Sequence, residues 1–210
     1  SFIVLGTICK QILANHNIKV CSRILSIHDI KDDEPKEHIK NYCEKLLNSL
    51  FPTISDTKQK LMMDEIEKAK QSQDSVGGII ESYILGLPVG LGEPYFDSLE
   101  SFISHLLFSI GGVKGVEFGD GFDLTKKFGS EVNDGVRFVN GDIEFTSNHN
   151  GGINGGLSNG NTLLIKTAIK PTPSISKEQQ TINIETKCLH LEEKIENPDN
   201  GILIWCLRLS

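Results

Sequence analysis

Between Thr146 and Gly160 the chain packs five glycines and four asparagines into Thr-Ser-Asn-His-Asn-Gly-Gly-Ile-Asn-Gly-Gly-Leu-Ser-Asn-Gly. No other stretch restricts the fold as much. Such a run has almost no apolar surface to bury and the widest backbone freedom available, so it is expected to lie outside core packing and to be kept for its main chain. Glycine lets peptide N–H groups approach a flat or anionic ligand, and successive N–H groups in turns form anion-binding concavities. Downstream, Lys170-Pro171-Thr172-Pro173-Ser174-Ile175 adds an ammonium and hydroxyls suited to a phosphate. A long surface turn explains the same composition. Composition alone therefore leaves both a ligand cradle and a plain turn open.

Apolar spacing divides the rest of the chain into helices and strands. Phe2 to about Asn15 reads as a helix with Val4, Leu5, Ile8, Ile12 and Leu13 on one side, and Lys19 to Ile27 as a strand. Asp32-Asp33-Glu34-Pro35 is expected to open a helix to about Asn48. A charged helix from Thr57 to about Gln73 carries Leu61, Met62, Ile66 and Ala69 as its core stripe, and Gly77 to Gly86 is apolar on both faces, as a buried strand is. Asp97-Ser98-Leu99-Glu100 reads as a helix start, with Leu99, Phe102, Ile103, Leu106 and Ile110 at helical spacing until Gly111-Gly112. A short strand, Val113 to Phe118, follows. Asn140-Gly141 between Val136–Val139 and Asp142–Phe145 specifies a hairpin. Leu163, Ile165, Thr167 and Ile169 alternate as a half-buried strand, and a second strand is expected over 181–191. Antiparallel signals mixed irregularly with helices predict an α+β layered fold.

Composition sets broader limits. The 210 residues, 38% hydrophobic, suffice for a core in one large domain or two small ones. No apolar run reaches the length that spans a bilayer. The five cysteines, Cys9, Cys21, Cys43, Cys188 and Cys206, form no Cys-x-x-Cys pair. They are expected to be small buried hydrophobes in a reducing compartment, without a disulfide or metal role. Of the six histidines only His149 lies in the glycine-asparagine run, and the others read as surface or satisfied core groups. Arg23, Arg137 and Arg208 are the only arginines among 21 basic residues, and the net charge is −7. The chain thus lacks clustered guanidinium forks for carboxylates and phosphates. Neither nucleic acid nor membrane is expected as a partner.

The run is preceded by Asp74-Ser75-Val76-Gly77-Gly78, by Gly90-Leu91-Gly92-Glu93-Pro94-Tyr95-Phe96-Asp97, and by Ser109-Ile110. Val113-Lys114-Gly115-Val116-Glu117-Phe118-Gly119-Asp120-Gly121-Phe122 and Gly129-Ser130-Glu131-Val132-Asn133-Asp134 come next. In this order the series resembles the chorismate synthase family, from about the first residues to Thr181. The resemblance implies a β-α-β sandwich with long helices between two antiparallel sheets, assembled as a homotetramer. It also implies a cytoplasmic flavoprotein lyase of the shikimate pathway and aromatic amino-acid biosynthesis. Such an enzyme converts 5-enolpyruvylshikimate 3-phosphate to chorismate and phosphate by anti-elimination with reduced FMN, and NADP is associated with it. By the same resemblance Gly111 and Gly112 correspond to a backbone flavin contact and Gly155 to another. Lys170, Pro171, Thr172, Pro173 and Ser174 correspond to the segment that holds the cofactor. Pro173 stands where the family usually has serine, which leaves Thr172 and Ser174 as hydroxyls.

The family's Gly-Glu-Ser-His-Gly and Arg-Pro-Gly-His-Ala-Asp motifs do not occur in this sequence. With them go the substrate-holding arginines and two acid–base histidines that the resemblance implies, so no catalytic residue and no metal site is assigned. Residues 1–200 are read as a partial chorismate synthase domain and 201–210 as an aberrant tail. Codons for Gly201 to Leu207, read one nucleotide earlier, can spell Asp-Pro-x-Met-Val-Pro, close to the family's His-Asp-Pro motif, and a frameshift near Asn200 is the expected cause. A non-catalytic remnant that folds or associates with intact subunits, and a binding module for a nucleotide other than flavin, are the competing readings.

Overall fold

The computed structural model describes residues 2–139, 141–182 and 189–192. Helix α1 (Phe2–Asn15) turns into β1 (Lys19–Ile27), which folds back onto the short β2 (Ile30–Lys31). Next come α2 (Cys43–Leu47), α3 (Asp56–Gln71), β3 (Gly78–Leu85), α4 (Leu99–Phe108) and β4 (Val113–Phe118). They are followed by α5 (Gly129–Val132), β5 (Val136–Val139), β6 (Asp142–Phe145), β7 (Ile153–Asn154), β8 (Leu157–Ser158) and β9 (Leu163–Ile169). Finally β10 (Gln179–Ile182) pairs with β11 (Leu189–Glu192). Strands β2, β1, β3, β9 and β4 form one antiparallel sheet in that order, so the fold is α+β as the sequence predicts. The late strand β9 slots between β3 and β4, and this insertion brings distant motifs together.

Residues alternate between the faces of a strand, and the register sorts this sheet into two unlike sides. On one side α4 sends Leu99, Ile103 and Leu107 onto Leu163, Ile165, Val116 and Phe118, with Ile153 beside them. There too α3 buries Met62 against Ile24 and Ile27. On the other side Arg23, Glu81, Lys166 and Glu117 are direct cross-strand partners, a row of alternating charge over four strands. Arg23 is fully buried, with Nε 2.6 Å from Glu81 Oε2 and its remaining nitrogens 3.2 Å from Asp32 Oδ2 and Glu34 Oε2. Burial by itself would lower the pKa of Arg23, but the negative charge around it, Glu81 first, raises it. The Tyr83 hydroxyl donates to Glu81, and burial together with that carboxylate holds the phenol far above its ordinary range.

Two expectations change on folding. The helix predicted over 32–48 shrinks to a 3-10 turn (Ile39–Asn41) and α2. The reason is Asp32, which instead of capping a helix is buried as an anchor that accepts the N–H groups of Ile54 (2.7 Å) and Ser55 (3.0 Å) besides Arg23. Helix α1 has its predicted bounds, and Val4, Leu5, Ile8 and Ile12 are exposed along it. The strand expected over 181–191 is a hairpin of β10 and β11, with 183–188 outside the described residues, as is the tail 201–210.

The cysteines depart further. Cys21 and Cys43, expected to be unpaired, are fully buried and joined as a disulfide with their Cα atoms 5.7 Å apart. α2 carries Cys43 back over β1, a proximity that no local spacing reveals. Cys9 is free and exposed rather than buried. Cys188 and Cys206 lie outside the described residues.

Candidate functional site

The motifs scattered along the chain gather at the two ends of the sheet. At one end β9 runs out into Lys170, whose N–H donates to Gly112 O (2.9 Å). Two residues on, Thr172 O accepts the Ser75 hydroxyl (2.7 Å). A Cβ on Gly77 would stand 2.9 Å from Pro171 Cδ, so glycine there makes room for the proline. Asp74 accepts the Ser75 N–H (2.8 Å) and Lys177 Nζ (3.2 Å), and these bonds, the backbone one first, hold its carboxyl below the usual range. Asp74–Gly78, Gly111–Gly112 and Lys170–Ser174 thus form one surface. Gly111 is exposed with nothing within 4 Å of where a Cβ would sit. Lys170, Pro171 and Pro173 are exposed, while Gly112, Thr172 and Ser174 are half-buried.

At the other end the glycine-asparagine run closes over the start of the loop after β4. Asp120 N–H donates to His149 O (2.9 Å), while Asp120 Oδ2 lies 2.7 Å from His149 Nδ1 and 2.6 Å from Lys127 Nζ. Burial would raise the Asp120 carboxyl, but the bonds from Lys127 and His149 bring it below its ordinary value. Asp134 organises the run by accepting Ser147 Oγ (2.7 Å), the His149 N–H (2.7 Å), and the Asn150 N–H and Nδ2 (both 3.0 Å). Its carboxyl too is lowered, these bonds outweighing the opposing effect of burial.

The run is not the solvent-side feature that its composition predicts. Gly151 and Gly152 are buried, and a Cβ on Gly152 would stand 2.8 Å from Thr162 O and 3.0 Å from Leu163 Cα. Backbone packs on backbone there, and Ile153 passes into the core. Gly155 differs. It is exposed, has φ +59°, and has nothing within 4 Å of its Cβ position. Its neighbour Gly156 is wedged between Glu93 and Ser98, and its carbonyl accepts the Leu99 N–H (2.9 Å). Gly90 and Leu91 are laced to Ser158 by main-chain bonds of 2.8 and 2.9 Å, and Ser158 Oγ donates to Pro88 O (2.6 Å).

Of the residues that sequence singles out, Gly111, Gly112 and Lys170 to Ser174 come together. Gly155 stands apart, beside the first turn of α4, while Gly111 follows the last. The ten residues of α4 separate these points by roughly 15 Å at 1.5 Å per residue. Both points present exposed backbone, and the Gly111 end adds the exposed Lys170 with half-buried Thr172 and Ser174. Sequence reasoning missed Ser75 as the anchor of Thr172, and the Asp120–His149 pair. Their only signal was membership of motifs whose partners lie far along the chain. Among the described residues no group of three or more His, Cys, Asp or Glu is disposed to hold a metal, and no helix is long and apolar enough to cross a membrane.

The family model of chorismate synthase matches residues 1–201. The chain belongs to the chorismate synthase family. The chorismate synthase of Acetivibrio thermocellus is 42% identical over 186 residues, 86% of this chain and 46% of that protein. That of Methanocaldococcus jannaschii is 37% identical over 212 residues, 95% of this chain and 55% of that protein. A crystal structure of chorismate synthase superposes with a TM-score of 0.73 at 30% identity, covering 80% of this chain and 54% of that one. The architecture is therefore that of the chorismate synthase fold, and the chain spans about half the length of the curated relatives it matches.

Proposed function

We propose that this chain supplies the flavin-binding part of a chorismate synthase, the enzyme that forms chorismate from 5-enolpyruvylshikimate 3-phosphate by anti-elimination with reduced FMN. The observation that carries this reading is the Lys170–Gly112 main-chain hydrogen bond, which brings the Lys170–Ser174 segment to the Gly111–Gly112 turn, where Gly111 is exposed backbone. Reduced flavin, when bound, supplies electron density for phosphate departure. The chain's own share is to bind and orient. Lys170 faces the cofactor phosphate, Thr172 and Ser174 add hydroxyls, and Gly111 and Gly155 let the main chain come close. A substrate with a phosphate and two carboxylates calls for guanidinium groups. Here Arg23 is buried and fully engaged, and Arg137 pairs with Glu144 on the exposed hairpin.

With purified 210-residue chain, photoreduced FMN and 5-enolpyruvylshikimate 3-phosphate under anaerobic conditions, flavin binds and no chorismate absorbance develops above the no-protein control. Turnover would return the acid–base role to His105, His149 or Asp134. Failure to bind flavin would leave a module for another nucleotide. The exposed apolar residues of α1 and α4, among them Val4, Leu5, Ile8, Ile12, Phe102 and Leu106, favour one second reading: a non-catalytic chain that associates with intact subunits of a cytoplasmic homotetramer. Co-sedimentation with a full-length relative tests it.

A further inference from the structure

Between β2 and α3 the chain makes a long excursion that carries only the 3-10 turn Ile39–Asn41 and the five residues of α2. Both ends of the excursion are hydrogen-bonded to the body of the molecule. Arg23 donates to Asp33 O (2.6 Å), Asp32 accepts the N–H groups of Ile54 and Ser55, and the Ile24 N–H donates to Pro52 O (2.8 Å). Its middle has no such ties: among the described residues, no hydrogen bond or ion pair joins residues 35–49 to the five-stranded sheet. What holds this stretch is apolar contact of Ile39 and Leu46 with Cys21 and Tyr83, and the covalent bond from Cys43 to Cys21 of β1. The same stretch lines a cavity of about 580 Å³ with Pro35, His38 and Ile39, which the start of the glycine-asparagine run lines with Thr146 and Asn148.

Cys21 and Cys43 have no exposed surface, and their surroundings suit two thiols as well as a disulfide, because a free cysteine packs as a small apolar side chain. Both oxidation states are compatible with the fold, but they differ in what they hold. The bond closes a loop across 22 residues of sequence, and without it the loop regains the conformational freedom that closure removes. We infer that Cys21 and Cys43 are a redox switch that fixes or releases residues 35–49. Reduction by a dithiol transfers two electrons and two protons. A reductant thiolate attacks one sulfur, its second thiol resolves the mixed disulfide, and Cys21 and Cys43 are left as thiols while the reductant becomes a cyclic disulfide. Glutathione disulfide reverses the change and yields two reduced glutathiones. Because α2 is only five residues long, the opening that admits either reagent is local. The oxidised state pins α2 to β1, whereas the reduced state leaves it to apolar contact alone, so that it opens and the cavity loses a wall. The switch does not depend on a bound flavin.

The test is limited trypsin digestion of the full chain carrying Cys9→Ser, Cys188→Ser and Cys206→Ser, so that the pair alone responds. The chain is equilibrated with dithiothreitol or with glutathione disulfide, and the reagent is removed under anaerobic conditions before digestion. Lys36, Lys40 and Lys45 are exposed and report on the stretch, while Lys60, Lys68 and Lys70, exposed on α3, report on the rest. Cleavage at the first three rises about tenfold or more on reduction and returns on reoxidation, while cleavage at the second three stays constant, as a local opening requires. Cys43→Ala is cut at the reduced rate under either condition. Thiol titration of the denatured chain reads no free thiol after oxidation and two after reduction. Two free thiols after oxidation would overturn the inference, because no bond then forms to be switched. Equal cleavage of residues 35–49 in the two states would overturn it as well, since the bond would hold nothing that packing does not. A rise at both sets of lysines would mark global unfolding, and the local switch would fall with it.

Discussion

Gly152 and Gly155 sit three positions apart in one loop, both at positive φ, and they are glycine for opposite reasons. Around Gly152 space is already full: Thr162 and Leu163 press their main chain to within 3.0 Å of a would-be Cβ. Around Gly155 space is empty. The first is a packing requirement inside the molecule, and the second leaves room for something outside it. A glycine-rich run is therefore not one signal but several, and only the neighbours of each residue tell which is which.

The comparison breaks most sharply under valine. Gly152→Val adds both a clash with main chain and a left-handed β-branched residue, and we expect it to cost roughly 3–5 kcal/mol in urea unfolding, enough to threaten the fold. Gly155→Val suffers only the backbone term, roughly 1–2 kcal/mol, while flavin affinity drops by well over the tenfold that about 1.4 kcal/mol represents. Equal destabilisation by the two variants would erase the distinction, and unchanged flavin affinity would remove Gly155 from the site.

Asp134 separates the two regions by pH, because it ties down the half-buried stretch Ser147–Asn150 that leads into buried Gly151 and Gly152. Its folded pKa lies below the unfolded value, so the folded state binds fewer protons. The stability it contributes is complete above the ordinary carboxylate range near pH ~4 and is lost as pH falls through the lower folded value. Asp134→Asn should remove about 1 kcal/mol at neutral pH and flatten this part of the acid unfolding profile. A profile identical to the parent's would show that the network does not hold the loop. The smallest effect belongs to the distant end. Lys170→Gln should shift stability by less than about 0.5 kcal/mol, yet make FMN affinity less dependent on salt. An unaltered salt slope would mean that no phosphate faces Lys170.

Patterns with a short period were legible in the sequence. β1 runs Lys19–Ile27 as expected, Leu163, Ile165, Thr167 and Ile169 are the buried positions of β9, and β5 pairs antiparallel with β6, with Val136 opposite Phe145. Each depends on neighbours within one strand or turn. The misreadings all involve a partner elsewhere. Asp32 reads as a helix start until Arg23 and the Ile54 and Ser55 N–H groups claim it. Cys21 and Cys43 read as isolated until α2 folds over β1.

The candidate site divides along the same line. Sequence by itself determined the family, through motifs whose residues and order survive without coordinates. Tertiary structure alone decided how those motifs combine. Because β9 enters the sheet between β3 and β4, its last residue delivers Lys170 to Gly112 and its first places the glycine-asparagine run at the far end of β4. Strand order is a property of hydrogen bonds between segments many tens of residues apart. No local pattern encodes it, since each strand's alternation is satisfied equally well beside any neighbour of matching register.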